Sequence, residues 1–277
     1  AHLLMTTIAY FISPHGFGHA ARATAVMQAI QRQEPSVKFL IFTTAPEWFF
    51  ADQYLNNYEY CSALHDVGLA QLTPFEEDLP ETLNRLDAIF PYSVDLVNKT
   101  VQKLRQESVN LVICDIAPLG LVAARQSGIP SLLIENFTWD WIYQGFTDDY
   151  PQFMEYIDHL DTLFPLADFH IQAEPVCYRL PNVPKVNEPI SRSFHTSPEI
   201  IRKQLGINDE TLVLVSFGGN KEQFSNIEFL HDYPETIFLM AGRGEKLQRE
   251  QNIISLPHNT PFYHPDLIQA ADIIIGK

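Results

Sequence analysis

Residues 8–22 read IAYFISPHGFGHAAR, and this stretch decides the fold class of the chain. Its first part, from Ile8 to Ser13, is a mostly apolar run of the kind that forms a strand buried on both faces of a parallel sheet. Two closely spaced glycines follow, and the apolar residues from Gly18 to Arg32 then recur at roughly helical spacing. We therefore predict a strand, a tight glycine turn and a helix, which are the first elements of an α/β lobe.

The same alternation continues through the first half of the chain. Further strands are predicted over residues 37–42, 60–64, 111–115 and 131–134, and further helices over 46–55, 92–107 and 119–127. The acidic stretch 75–86 has no clear period and is predicted to be a solvated loop that enters a helix. Strands that alternate with helices at this pitch indicate a parallel sheet with right-handed crossovers.

A second lobe is predicted after a proline-rich segment. Prolines at 175, 181, 184, 189 and 198, interleaved with Asn and Ser, are typical of a linker. The alternation then restarts, with helices predicted over 198–205, 222–231 and 265–271 and strands over 211–216, 236–240, 252–255 and 272–275. The predicted fold class is α/β, with two Rossmann-like, doubly wound parallel-sheet lobes facing a cleft, over residues 5–185 and 186–277. Because the chain stops directly after a strand, at Gly276-Lys277, the second lobe is expected to be incomplete.

Charge, hydropathy and cysteine content limit the binding partners and the location to be expected of this protein. The net charge is −16, and binding to nucleic acid or to an anionic membrane requires clustered Lys and Arg, so neither partner is expected. No apolar run reaches the ~18 residues of a spanning helix, which predicts no stable membrane insertion. The three cysteines, Cys61, Cys114 and Cys177, have no metal-ligand spacing and favour a cytoplasmic protein with reduced thiols.

The glycine turn after the first strand allows two interpretations. Gly16 and Gly18, with Ala21, match the dinucleotide-binding fingerprint, but the second strand ends in Thr43-Thr44 without the acidic residue that holds a ribose. A nicotinamide or flavin site is therefore disfavoured, and no cofactor is expected. In the other interpretation, His19 lies at a helix N-terminus, where the partly positive helix end favours a neutral ring that can accept a proton. A histidine that only caps the loop remains an alternative.

Asp115 is the candidate partner of His19. It ends a predicted parallel strand, at the edge of the sheet where ligands bind, and His19 follows the first strand at the same edge. A carboxylate there would orient the imidazole and stabilise its protonated form. The alternative is that Asp115 caps the helix that begins near Pro118.

A glycine turn in the second lobe is a candidate anion site. The buried strand at 211–216 runs into Phe217, Gly218, Gly219 and Asn220 before a predicted helix. Backbone N–H groups without side-chain bulk at a helix start bind anions such as a diphosphate. A plain turn between strand and helix remains the alternative.

These motifs, in this order, resemble those of the GT-B glycosyltransferases that use UDP-sugars. The resemblance includes the His-Gly-Phe-Gly-His-Ala-Ala-Arg turn at 15–22, the Asp115 strand with Gly-Ile-Pro at 128–130, the Ser-Phe-Gly-Gly segment at 216–219 and the closing Ala-Ala-Asp-Ile-Ile-Ile-Gly-Lys. It spans nearly the whole chain and is nearest in pattern to MurG, to the UDP-glycosyltransferases and to the N-terminal part of plant L-arabinokinases. No single motif is decisive; their order and spacing are.

The resemblance implies a role for each matching position. His19 corresponds to the histidine that activates the acceptor, and Asp115 to the aspartate paired with it. Trp139 and Trp141 are acceptor-side candidates, although packing explains them equally well. The implied donor-binding residues are Gly218, Gly219, Asn220, Tyr263 and Gly276, which makes 5–185 the acceptor domain and 186–277 a partial nucleotide-sugar domain.

The predicted function is metal-independent, inverting transfer of a sugar from a nucleotide-sugar, with UDP as the expected nucleotide, to a hydroxyl of an unidentified small molecule or glycan. The absence of an Asp-x-Asp motif agrees with metal independence. The resemblance also implies a donor-ribose segment after Gly276, so this chain alone is expected to have impaired donor binding or to be inactive. A nucleotide-sugar 2-epimerase and a non-catalytic glycosyltransferase-like binding module are the alternatives.

Overall fold

The computed structural model describes residues 6–51, 54–181, 183, 186–219 and 227–276. The chain forms two compact units. The first unit runs to Ala70 and then from Asp78 to Ser191, and the second contains Gln71–Glu77 and continues from Arg192. The domain limits predicted at 185/186 stay a prediction.

The chain as far as Ser191 consists of strands interspersed with helices. They are β1 (Thr7–Ile12), α1 (Gly18–Gln33), β2 (Lys38–Thr43), β3 (Tyr58–Ser62), β4 (Gln71–Thr73), β5 (Glu76–Glu77), α2 (Leu79–Ile89), α3 (Val94–Gln106), β6 (Leu111–Asp115), α4 (Pro118–Ser127), β7 (Ser131–Glu135), α5 (Trp139–Gln144), α6 (Phe153–Leu163), β8 (Phe169–Ala173) and β9 (Val186–Asn187).

The first unit is built on a parallel sheet. Among the described residues its strand order is β3-β2-β1-β6-β7-β8-β9. Every residue of β1 is buried, because α1 covers one face of the sheet and α2, α3, α4 and α6 pack against the other. The register aligns Ile12 with Asp115 and Asp115 with Ile134. The carboxyl ends of β1, β6 and β7 therefore lie side by side.

The second unit repeats this architecture on a smaller scale. Its elements beyond Ser191 are α7 (Pro198–Gln204), β10 (Thr211–Ser216), β11 (Thr236–Ala241), β12 (Gln248–Glu250), β13 (Ile253–Leu256), α8 (His264–Ala270) and β14 (Ile273–Gly276). The described strands form a sheet in the order β12-β13-β11-β10-β14, in which only the β12–β13 pair is antiparallel. One face packs against α7 and α8. The α/β fold with two Rossmann-like sheets is confirmed.

Two local predictions in the first half were wrong. Of the helix predicted over 46–55, residues 52 and 53 lie outside the described part of the chain, and the rest contains only a 3-10 turn at Glu47–Phe49. There Phe49 packs on Phe17, and Phe50 is fully buried in the core. The stretch 75–86, predicted to be a loop, contains β5 and most of α2. The strand β5 pairs with β4 in a short antiparallel hairpin. The Asp78 side chain accepts a hydrogen bond from the Glu81 N–H at 3.0 Å, which starts α2 inside that stretch.

The region between 136 and 191 holds more structure than its sequence suggested. The helices α5 and α6 and the strands β8 and β9 were not predicted, and β9 lies within the segment interpreted as a linker. The strand β12 was missed as well. Part of the helix predicted over 222–231 lies outside the described residues, and its described end forms a 3-10 turn at Glu228–Asp232.

Candidate active site

The glycine turn after β1 delivers His19 to the edge of the first sheet. Gly16 has a φ of +61°, a left-handed conformation that favours glycine. Phe17 occupies the N-cap position of α1 without a side-chain hydrogen bond, and the helix begins at Gly18. His19 is therefore the second residue of α1, close to the positive end of the helix dipole.

His19 and Asp115 form a hydrogen-bonded pair. The distance from His19 Nδ1 to Asp115 Oδ1 is 2.8 Å, the His19 side chain is 8% exposed and the Asp115 side chain is fully buried. A carboxylate oxygen and an unprotonated ring nitrogen would repel each other at this distance. The proton therefore lies on Nδ1, which donates a hydrogen bond to Asp115. In the neutral ring Nε2 then has a free lone pair, and it makes no hydrogen bond to any described residue.

Arg22 is the second partner of Asp115. Its Nε lies 2.7 Å from Oδ2 and its Nη2 lies 2.6 Å from Oδ1, which is a bidentate ion pair. Its Nη1 donates to Asn136 Oδ1 at 2.6 Å. Burial opposes ionisation of Asp115, but the charge and hydrogen bonds of Arg22, together with the His19 bond, hold the pKa of Asp115 below its ordinary value.

The alternative role of Asp115 as a helix cap does not agree with the structure. Both of its oxygens are bonded to His19 or Arg22, and α4 starts from Ala117 without a side-chain cap. Ile116, between them, is buried and has a φ of +47°. A left-handed conformation is strained for a β-branched residue, and such strain often occurs at functional sites.

The aromatic side chains of Phe137 and Trp139 pack against the ring of His19. Trp139 lies 6.1 Å away between ring centroids and is 1% exposed, and its Nε1 donates to Asp66 Oδ2 at 2.8 Å. A ring this buried has no free face for a sugar, so packing is the favoured interpretation for Trp139. Trp141 is half-buried and stacks on Tyr178, and its acceptor-side role stays a prediction.

The second unit carries its candidate site in the backbone after β10. Gly218 and Gly219 have φ values of +62° and +95°, so both adopt conformations that favour glycine. A Cβ added to Gly218 would meet no atom of the described residues within 4 Å. Asn220, predicted to bind the donor as well, lies outside the described residues.

The other predicted donor residues lie at two further positions of this unit. Tyr263 immediately precedes α8, with the Arg192 guanidinium 5.0 Å from its ring centroid. Burial, with a contribution from the charge of Arg192, lowers the pKa of His264 to about 4. A Cβ on Gly276 would lie 2.7 Å from the Ser216 carbonyl oxygen, so glycine there permits the close approach of β14 to β10.

Neither Arg22 nor Asn136 was predicted from the sequence to be a site residue. Arg22 could have been found, because residues three apart on a helix share a face and His19-x-x-Arg22 has that spacing. Asn136 could not, since its contact depends on how β7 ends beside α1. The described residues contain no group of three or more His, Cys, Asp or Glu side chains able to hold a metal ion. They also contain no helix long and apolar enough to span a membrane.

Comparison with known proteins finds a similarity in sequence to a plant protein. No protein-family model matches the chain. Over 281 aligned residues, covering 97% of the chain, it is 28% identical to an L-arabinokinase from Arabidopsis thaliana. The match covers 26% of that protein, so the chain spans about a quarter of its length.

Solved structures extend the likeness to the fold. SsfS6, a glycosyltransferase from Streptomyces sp. SF2575, has a TM-score of 0.55 and 12% identity, over 98% of this chain and 76% of its own. A Listeria monocytogenes protein described as a UDP-N-acetylglucosamine 2-epimerase has a TM-score of 0.53 and 11% identity, over 99% and 74%. At these identities the likeness shows the fold alone, and it confirms that this chain has Rossmann-like units of the GT-B type.

Proposed function

We propose that this protein is a glycosyltransferase that moves a sugar from a nucleotide-sugar to a hydroxyl group, with His19 as the general base. The 2.8 Å hydrogen bond between His19 Nδ1 and Asp115 Oδ1 carries the proposal. It leaves Nε2 as the proton acceptor, at the sheet edge where ligands of α/β proteins bind. General-base catalysis of this kind contributes roughly 10²–10⁴-fold in rate.

The proposed reaction is a direct displacement. His19 Nε2 takes the proton of the acceptor hydroxyl while the acceptor oxygen bonds to the anomeric carbon of the sugar. The bond from that carbon to the diphosphate oxygen breaks, and its electron pair leaves with the nucleoside diphosphate. The configuration at the anomeric carbon inverts, and Asp115 stabilises the imidazolium that forms.

The leaving diphosphate is assigned to the Gly218-Gly219 turn of the second unit. Consecutive residues of left-handed conformation without side chains suit a backbone anion site, and stabilising the leaving charge is a major part of the barrier. Tyr263 and Gly276 are proposed to line the same donor site, and UDP is the proposed nucleotide. The reaction requires no metal or cofactor in this proposal and is placed in the cytoplasm.

The test combines turnover with nucleotide binding. Release of UDP from UDP-glucose, UDP-galactose and UDP-N-acetylglucosamine is measured for the wild-type chain and for His19→Ala, with a mixture of alcohol and glycan acceptors. UDP affinity is measured by calorimetry. His19→Ala is expected to lose at least about 10²-fold in turnover and to bind UDP as the wild type does.

His170→Ala is the matched control. His170 on β8 is also paired with a buried carboxylate, since its Nε2 lies 2.8 Å from Glu135 Oε1, but the proposal gives it no part in the chemistry. Its turnover should equal that of the wild type. Full turnover in His19→Ala, or equal losses in the two variants, would overturn the assignment of the base.

Two other functions are distinguished by the same assay. A nucleotide-sugar 2-epimerase is considered because a protein described as such an enzyme shares the fold at a TM-score of 0.53. It would isomerise the sugar without an external acceptor. A non-catalytic module is considered because the relative, L-arabinokinase, is about four times longer than the match. It would bind UDP or a UDP-sugar and leave it unchanged.

A further inference from the structure

Arg22 holds a position in the site that a simple pair of histidine and aspartate does not need. It lies one helical turn after His19, and its Nη2 is 3.4 Å from His19 Nδ1. The same guanidinium forms the bidentate ion pair with Asp115. Its side chain is 11% exposed. The third nitrogen, Nη1, donates to Asn136 Oδ1, so every nitrogen of the guanidinium has a hydrogen-bond partner.

This arrangement changes the charge balance around His19. Without Arg22, a buried Asp115 carboxylate would strongly favour a protonated, positively charged His19 ring. With Arg22 the carboxylate is neutralised, and protonation of the ring places a second positive charge beside the guanidinium. Like charges at such distances repel strongly in a partly buried site. A general base must be unprotonated before it can act, so this repulsion favours the active form.

Other titratable groups around the cluster do not replace this effect. Asp66, behind Trp139, lies close enough to His19 to interact with it electrostatically. Glu135 and Tyr10 lie close enough to Arg22 to favour its charged form. Each of them is still present when Arg22 is substituted, so the variant differs from the wild type in the Arg22 charge.

We propose that Arg22, oriented by Asn136, is a positioning residue that holds Asp115 on His19 Nδ1 and disfavours a positive charge on the His19 ring. The catalytic meaning of this role rests on the proposed function, but the electrostatic role does not. Arg22 acts through Asp115 and His19 and need not touch the substrate.

The test follows the proton on His19 directly. The chain is labelled with ¹³C at histidine Cε1, and the His19 signal is assigned by its loss in His19→Gln. In Arg22→Met the titration midpoint of the ring should move to higher pH by about one unit or more. Arg22→Lys keeps the charge and should stay within a few tenths of a unit of the wild type. Asn136→Ala frees the guanidinium and should shift the midpoint upward by a smaller amount.

Arg85→Met is the matched control. Arg85 is paired with a carboxylate too, Glu81 at 2.8 Å, but the pair is exposed on α2. Its substitution should leave the His19 titration unchanged. Identical midpoints in wild type, Arg22→Met and Asn136→Ala would overturn the proposal and leave Arg22 with a merely structural role. If Arg22→Met does not fold, Asn136→Ala alone decides, because an unchanged midpoint there also contradicts orientation by Asn136.

Activity separates this inference from the proposed function. If the chain is a transferase, the acid limb of kcat/KM for UDP release should move with the His19 midpoint in Arg22→Met and stay in place in Arg22→Lys. If no UDP is released by any variant while the midpoint still shifts, the proposed function fails and the role of Arg22 stands. If UDP is released and the midpoint does not shift, the reverse holds.

Discussion

The two units differ in what their candidate sites are made of. The site of the first unit consists of side chains, since His19, Arg22, Asp115 and Asn136 form one connected network at the ends of β6 and β7. The site of the second unit consists of backbone, since Gly218 and Gly219 contribute conformation and no functional group. A buried charged network depends on every member, whereas a glycine turn depends only on its dihedral angles. Substitutions should therefore affect stability more in the first site than in the second.

Asp115→Ala should give the largest loss of stability. It leaves the Arg22 guanidinium, which is 11% exposed, without its ion-pair partner. Removing one partner of a buried ion pair costs about 3–5 kcal/mol, because the remaining charge is not compensated. The free energy of unfolding is measured by urea denaturation with tryptophan fluorescence. All three tryptophans (Trp48, Trp139 and Trp141) lie in the first unit, so the signal reports on that unit.

The double variant Asp115→Ala, Arg22→Met sharpens this prediction. If the loss comes from an unpaired charge, removing Arg22 as well should restore part of the stability, and the two substitutions should be strongly non-additive. A single variant that loses less than about 1 kcal/mol would mean that the first site tolerates change as well as the second does.

The features of the first site that could be predicted from the sequence are those with a local signal. The apolar run at 8–13 predicted β1, and Gly16 and Gly18 predicted the turn that delivers His19, because both signals are local. The strand over 111–115 placed Asp115 at the same sheet edge, so the meeting of His19 and Asp115 followed from parallel-sheet geometry.

Features that depend on packing were not predictable in this way. The segment 139–163 forms α5 and α6, but aromatic residues such as Trp139 and Tyr143 hide the helical period because they are buried around His19 and the loop at 66–68. The contact of Asn136 with Arg22 joins residues 114 positions apart. No local pattern carries such information.

Acid should weaken both units, through a different histidine in each. Burial lowers the pKa of His65 in the first unit to about 4, and burial with the charge of Arg192 does the same for His264 in the second. Since each folded pKa lies below the unfolded value of 6.5, the unfolded chain binds more protons between these values. Stability should therefore fall as the pH drops from about 6.5 to 4, by on the order of 3 kcal/mol for each histidine.

Glutamine substitutions test the two histidines separately. His65→Gln keeps a donor for the Phe42 carbonyl, which lies 2.8 Å from His65 Nε2, and removes the titration. It should flatten the pH dependence of tryptophan-detected unfolding. His264→Gln should leave that signal unchanged and flatten only the pH dependence of hydrogen exchange in β10 and β11. A flattening of both signals by one substitution would show that the two units unfold together.

Gly218→Ala should have the smallest effect on stability and the clearest effect on binding. Alanine at a φ of +62° costs about 1 kcal/mol, and its Cβ would contact none of the described residues but would lie beside the turn, where we propose that the diphosphate binds. Gly128→Ala is the matched control, because Gly128 has a φ of +68° and equally open surroundings but ends α4 in the first unit. Both variants should lose similar stability in urea, followed by far-UV circular dichroism because the tryptophans report only on the first unit, and only Gly218→Ala should weaken UDP binding by calorimetry. Equal UDP affinity in both variants would contradict the proposed backbone site. The donor would then have to be held by side chains in the second unit, as the site of the first unit is built from side chains.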